Sequence, residues 1–527
     1  MKKHWISLLL ILSTGLFPVA CGDPLNNNNE TGGENQEQVE EQDQAEQEKM
    51  ATYLYVNTFA RNTMNLYYLW CEDIKEDLNN WKDTDEPISK VAKIRFHTYD
   101  GNTRVDVDRW TSLYDDFSSF YGSVTGNTKT YGLDFMLANY DGKSACAVVR
   151  FTYADSPASK AGLKRGDIIY KVNGKTMPLT KDAGGNYKLS TEATNIIYDE
   201  LMGGDKVELQ LHDGTVISMN SVEMYEDPVL LSKVFDCGGK KVGYLVFTSF
   251  TMEACKDLVR VAKDFKAAGV TELILDLRYN GGGFVLTEEV LASLLAPEAV
   301  VKAHSVLSTE IYNAELTSYF ASKGKDTNSY FETEFVINKG EENEYTLSTA
   351  DANIGITKLY AIIESGTASA SEAVLCDLFP YMDITMVGQQ SHGKFCSGIM
   401  MEGPDFFEDY SDQLGANTVR QGKKYTKNWG LYVMYSRFAD KDGVTRCMPD
   451  GLKPDVEAED AIWDENKVCY PLGDPNEVML KKVLELCGYT AKAPAARKAA
   501  SSQLTVRRIP GIDPFRPEFG MRIFLHE

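Results

Sequence analysis

The chain has 527 residues, 43% of them hydrophobic, enough for three or four modules with proper cores. Its 77 acidic and 54 basic side chains leave a formal charge of −23, which excludes the basic patches that nucleic acid requires of a partner and favours solubility.

Lys2, Lys3 and His4 precede an apolar stretch at 5–17, followed by Pro18, Val19, Ala20 and Cys21. Residues 1–20 resemble a bacterial lipoprotein signal peptide. That resemblance implies cleavage before Cys21, lipidation of Cys21, and a lipid anchor to a membrane of the bacterial cell envelope, facing the periplasm or the surface. Pro18 stands where such signals usually carry leucine, and plain secretion with cleavage near Ala20 is the alternative. No other stretch reaches the roughly 18 apolar residues of a spanning helix. Residues 22–48 are Asn-, Gln-, Gly- and acid-rich with no basic residue, so 21–48 is expected to be a disordered acidic tether spanning roughly 30 Å as a coil.

Residues 49–125 are expected to form a helical N-terminal domain. Tyr53, Val56, Phe59, Met64, Tyr67 and Tyr68 recur at helical spacing, and Trp70, Cys71 and Trp81 extend the aromatic face. This face suits packing on the rest of the molecule, assembly into a homo-oligomer, or partial cover of a substrate path.

In 128–226, Tyr131-Gly132-Leu133-Asp134-Phe135 opens a strand, and an apolar segment follows at 145–151. Residues 156–175 (SPASKAGLKRGDIIYKVNGK) then read as turn, buried strand and Asn-Gly hairpin. The module resembles a PDZ domain in permuted form. That resemblance implies capture of an extended chain end by strand addition, with Leu133 and Phe135 near the groove. The alternative is a module that only packs against or gates its neighbour.

Residues 272–283 (ELILDLRYNGGG) are a continuous apolar strand ending in three glycines, where backbone can approach a ligand closely and aim N–H groups at an anion. A phosphate loop is excluded, because neither the Gly-Lys-Ser/Thr ending nor the spaced G-x-G-x-x-G pattern is present. Residues 304–354 separate this turn from the next strand and contain polar stretches at 322–328 and 338–343, expected as a substrate-facing insertion. Residues 358–363 (KLYAII) then read as a buried strand, 364–367 as a turn and 371–379 as a helix, which sets Ser369 at a helix N-terminus, where free amides and the helix dipole favour negative charge.

A second strand at 384–388 leads through a polar turn to Lys394. A serine hydroxyl is a weak nucleophile until a base removes its proton. A lysine can do so only if its surroundings depress its pKa from about 10.4 towards about 7–8, at roughly 4 kcal/mol, so the site must be dry. Residues 429–438 read as a further strand and 448–455 as a closing loop.

LDLRYNGGG, then TASASE, then a Gly-Lys dipeptide resembles the carboxy-terminal-processing peptidases, or tail-specific proteases, over roughly 132–455. The resemblance implies an α/β multidomain fold: a twisted-sheet serine protease core of the ClpP/crotonase-like type at 227–473, a PDZ-like module, and a helical N-terminal domain. It implies Ser369 as nucleophile and Lys394 as general base, with an oxyanion hole from Ala370 and one of Gly281 or Gly282. Ser371 and Glu372 would be supporting residues. It further implies a serine endopeptidase acting on exported or envelope polypeptides with extended C-termini, without cofactor or metal. The segment 474–527 carries no functional reading.

One position departs from the pattern. Many members carry glutamine four residues after the lysine, orienting its ammonium, whereas this chain has Gly398. Ser397 and His392 are the candidates to take that role. The competing hydrolase arrangement is a Ser-His-Asp triad through His392, which lacks the G-x-S-x-G elbow. The rival from another class is a non-catalytic peptide-binding lipoprotein. Ten cysteines, nine after Cys21, show no zinc spacing and read as mostly small buried hydrophobes, with Cys396 lining the site rather than acting as nucleophile.

Overall fold

The computed structural model describes residues 33–490, 507–509 and 521–524. The signal-like segment and Cys21 lie outside them. Among the described residues no helix is long and apolar enough to cross a membrane.

The N-terminal helix Gly33–Tyr67 spans 35 residues, so the stretch expected as tether is helical from Gly33 onward. Gln and Glu are good helix formers, and they extend a helix whose C-terminal half is already anchored by buried Val56, Phe59, Ala60 and Met64. The following segment is less helical than its aromatic spacing predicts. Short helices Lys75–Asn79 and Pro87–Ile94 give way to an antiparallel hairpin, His97–Asp100 with Thr103–Asp106, before the helix Phe117–Thr125. Gly101, at φ +60°, supplies the turn that this hairpin needs. The domain shares one apolar core with the central body.

The second module closes on itself where Asn127–Thr130 pairs with Val222–Tyr225. Its sheet, built from Leu133–Asn139, Ser144–Thr152, Ile168–Val172, Lys206–Leu211 and Val216–Asn220, encloses a separate core.

Two sheets form the central body. The first runs Val229–Cys237, Lys240–Phe247, Val270–Asp276, Lys358–Ile363, Asp383–Gly388, Val456–Glu457, parallel from its second strand onward. Its central strands are near-continuous apolar runs because both faces are covered. The second sheet runs Gly282–Phe284, Met521–Phe524, Cys396–Glu402, Gly430–Asp440, Val306–Tyr312, Asn328–Tyr330. Residues 304–354, expected as a substrate-facing insertion, therefore give this sheet two strands. The helix Ala370–Leu378 leaves the first sheet after Lys358–Ile363 and packs against Gly282–Phe284 and Gly430–Asp440 of the second. The junction between the sheets holds the candidate residues.

Candidate active site

After strand Val270–Asp276 the chain turns through Asn280, which ties three segments together. Its side-chain amide donates to Phe247 O at 3.0 Å, and its backbone carbonyl accepts from the Ala368 amide at 3.2 Å and Ser371 Oγ at 3.1 Å. Thr367 Oγ1 donates to Leu277 O at 2.8 Å. The turn that carries Ser369 is thereby fastened to the glycine turn. Ser369 itself adopts φ 62°, ψ −115° immediately before the helix Ala370–Leu378. Such a conformation costs a non-glycine residue about 1–3 kcal/mol and persists only where the surroundings over-determine it. The side chain is fully buried, and its hydroxyl has no hydrogen-bond partner among the described residues.

Lys394 follows Gly393, whose φ of +85° and close approach to Pro449 O, 2.5 Å from a would-be Cβ, admit no side chain. The closing loop holds the turn from the other side, with Ser391 and Leu452 exchanging N–H···O bonds: the Ser391 amide donates to Leu452 O at 3.0 Å, and the Leu452 amide to Ser391 Oγ at 2.6 Å.

Glu372, one helical turn into the nucleophile's helix, joins the two halves. Its Oε2 accepts from the Ser369 amide at 2.9 Å and from the Lys394 amide at 2.8 Å. Its Oε1 accepts from Ser391 Oγ at 2.5 Å and from the Gly393 amide at 2.7 Å. Burial pushes the carboxyl up to about 7, against the pull of those four donors. Glu372 was expected only to support the site; it is the group that sets the spacing of the two chain segments.

The Lys394 side chain is fully buried and points at aromatic rings. Nζ donates to Tyr432 Oη at 2.9 Å and lies 5.0 Å from the centroid of that ring and 5.7 Å from that of Trp110. Ser369 and Lys394 are thus neighbours through their backbones, while the lysine side chain is bonded to Tyr432. Catalytic hydrogen bonds are often formed only once substrate is in place.

Neither residue suggested as a stand-in for the missing glutamine orients the ammonium in the contacts observed. Ser397 Oγ faces Glu310 Oε2 at 3.5 Å. His392 packs beside Trp110, and burial together with the nearby Arg109 and Lys394 charges lowers it to about 4, so it is neutral and its Nε2 has no partner among the described residues. Tyr432 takes the place: a Cβ on Gly398 would lie 2.4 Å from its ring. Cys396 is fully buried with its thiol raised by burial, unsuited to nucleophilic attack.

Of the two glycines offered for an oxyanion hole, Gly282 is already committed, donating to Asn280 Oδ1 at 2.8 Å in a local Asx turn. Gly281 and Ala370 remain as the candidate donors. Leu133 and Phe135 bury their side chains in the core of the second module rather than facing a groove, and the outer edge of their strand pairs at Ala138 and Asn139 with Arg508 and Arg507.

That module is seated on the glycine turn by a buried ion cluster. Arg165 reaches Tyr279 Oη at 2.8 Å, Asp460 at 3.0 Å and Glu477 at 3.3 Å. Arg278 meets Asp276 and Asp460 at 2.7 Å and Glu477 at 2.9 Å. This cluster, like Trp110 and Tyr432, is not legible in the sequence, because Arg165, Asp460 and Glu477 stand far along the chain from Asp276, Arg278 and Tyr279.

A model of peptidase family S41 matches residues 241–458, and a PDZ domain model matches 150–183. The chain is 23% identical over 430 residues to the carboxy-terminal processing protease CtpA of Bacillus subtilis, spanning 80% of this chain and 76% of that protein. It is 29% identical over 322 residues to the chloroplastic carboxyl-terminal-processing peptidase 1 of Arabidopsis thaliana, spanning 59% of this chain and 52% of that one. Its fold matches a crystal structure of an assigned S41 protease from Bacteroides fragilis at a TM-score of 0.57 and 20% identity, covering 81% of this chain and 96% of the other. The chain is thus similar to peptidase family S41 over 241–458 and to a PDZ domain over 150–183, and the curated relatives it resembles are carboxy-terminal processing proteases.

Proposed function

We propose that the protein cleaves extended polypeptides by a Ser369–Lys394 dyad. The observation that carries this reading is the shared Glu372 Oε2, which couples the strained nucleophile turn to the turn bearing the base. Lys394, in its unprotonated form, takes the proton from Ser369 Oγ as that oxygen bonds to the scissile carbonyl carbon. The resulting oxyanion is met by the amides of Ala370 and Gly281 at the helix N-terminus. Lys394 then returns the proton to the leaving amine as the C–N bond breaks, and water resolves the acyl-enzyme with the same base.

The substrates are polypeptides cut near their C-termini, in line with the names of the Bacillus and Arabidopsis relatives, and the signal-like N-terminal sequence supports exported or envelope polypeptides among them. Such a chain end would join the outer edge of Leu133–Asn139, where Arg507 and Arg508 pair in this structure. The lipoprotein-like N-terminal sequence supports anchoring at a bacterial membrane through Cys21.

The test is time-resolved mass spectrometry of unstructured peptides with apolar C-termini, incubated with the protein and with Ser369→Ala and Lys394→Ala versions. Cleavage that both substitutions abolish establishes the dyad. Binding without cleavage by the unsubstituted protein returns the chain to a non-catalytic peptide-binding role.

A further inference from the structure

The second sheet is continuous only because the chain's own tail fills it. Met521–Phe524 runs parallel between Gly282–Phe284 and Cys396–Glu402, with Met521 opposite Gly282, Arg522 opposite Gly283, and Ile523 opposite both Phe284 and Gly398. Gly282 O and the Phe284 amide are taken up by Phe250 on the far side. Strand alternation therefore turns the backbone groups of Gly283 towards the tail. The gap that the tail occupies adjoins the glycine turn on one side and, on the other, the strand that leads away from Lys394.

A second stretch of the same tail sits on the PDZ module. Arg507 and Arg508 pair antiparallel with Asn139 and Ala138, and the Ile509 amide donates to Leu137 O at 3.1 Å. The stretch thus advances along the Leu133–Asn139 edge towards the Gly132 loop, the direction in which an added peptide strand would run, and Ile509 is buried in the module's core. Arg508 also reaches Glu364, at the start of the nucleophile turn, at 3.3 Å. With the slot filled, Lys394 is bonded to Tyr432 and the Ser369 hydroxyl has no partner among the described residues.

We propose that this tail is an internal competitor for the peptide path: residues 507–509 hold the PDZ edge and 521–524 hold the protease slot, and a polypeptide substrate enters when it displaces them. The proposal rests on the peptidase reading of the site and adds an occupant and a mode of control. A chain whose competent state is only fractionally open binds its ligand more weakly by that fraction. Weakening the tail therefore tightens peptide binding.

The experiment is fluorescence anisotropy with a fluorescein-labelled, Gly/Ser-rich peptide ending in Leu-Val, using the full chain carrying Ser369→Ala so that nothing is consumed. Two further substitutions are compared in that background. Ile523→Pro removes a strand N–H, and Arg508→Glu sets like charges against Glu364. Both are expected to lower the peptide Kd about 10-fold or more, with hydrogen exchange rising over 282–284 and 396–402 in the Ile523→Pro chain. A synthetic peptide copying residues 518–527 should compete with the labelled one. Unchanged Kd in both variants overturns the proposal, as does loss of folding in Ile523→Pro with unchanged Kd in Arg508→Glu, which makes the tail a fixed structural strand. Because this readout needs no turnover, failure of the dyad leaves it intact. Absence of peptide binding by every version, with no cleavage by the Ser369-intact chain, removes the peptidase-site reading itself.

Discussion

Gly398 and Tyr432 occupy one space between them: a Cβ at 398 would fall 2.4 Å from Cε2 of the Tyr432 ring, and the hydroxyl of that ring accepts the Lys394 ammonium at 2.9 Å. The glutamine usual at this position and the tyrosine found here are therefore mutually exclusive, and the tyrosine holds the lysine from the neighbouring strand.

Tyr432→Phe keeps the ring and removes the hydroxyl. It is expected to lower kcat by about 100-fold with KM little changed, since a misdirected base costs about that much. Gly398→Gln in the otherwise unchanged chain overpacks the site and costs about 1–3 kcal/mol in denaturant unfolding. The Gly398→Gln, Tyr432→Ala pair should recover much of that loss, so the cycle will be strongly non-additive. Additive effects would mean that the two positions do not share a space.

Glu372 holds its proton to a higher pH folded than unfolded, moving from 4.5 to about 7. The folded state binds the extra proton across that window, so this group's contribution is complete below 4.5 and is lost as pH rises through 7. In Glu372→Gln that dependence disappears, and thermal unfolding from pH 5 to 8 should show a flatter profile than the parent. The amide also presents an N–H donor where Gly393 or Lys394 needs an acceptor, destabilising the fold by about 1–3 kcal/mol.

His392 shifts the other way, from 6.5 to about 4, because burial and the charges of Arg109 and Lys394 disfavour its protonation. Its contribution is present above pH 6.5 and is lost as pH falls towards 4. His392→Gln should therefore lose less stability on acidification than the parent. Its Ser369 should still react with a fluorophosphonate, while Lys394→Ala should not; the reverse pattern would restore the triad.

Arg165→Ala leaves Asp460 and Glu477 with one buried guanidinium fewer, a change expected to cost about 3–5 kcal/mol. Because Arg165 also reaches Tyr279, beside the glycine turn, limited proteolysis should detect loosening at the PDZ–protease junction before global unfolding. An unchanged digestion pattern would show that the cluster does not hold the modules together.

The local grammar of the chain reaches a long way here. An apolar strand running into Asn280 and three glycines, a serine at the first turn of a helix, and a lysine after a Gly turn each report their own backbone, because propensity and turn chemistry act between near neighbours. Composition alone suggests disorder at 33–48, but a long helix anchored further along is propagated there through Gln and Glu. Leu133 and Phe135, expected near the groove, lie instead in the module's own core, because strand alternation turns both side chains to the inner face.

By itself, then, the sequence determined the modules, the serine and lysine motifs, and the helix terminus on which Ser369 stands. The tertiary structure alone decided what surrounds Lys394: Tyr432 is 38 residues away along the chain, and Arg109, whose guanidinium donates to the neighbouring His392 O, is 283 residues from that histidine. It likewise decided that Met521–Phe524 enters the sheet beside Gly282–Phe284. Such contacts are set by strand register and by the packing of two sheets against one helix, and a register shifted by a single residue would turn each of these side chains to the opposite face.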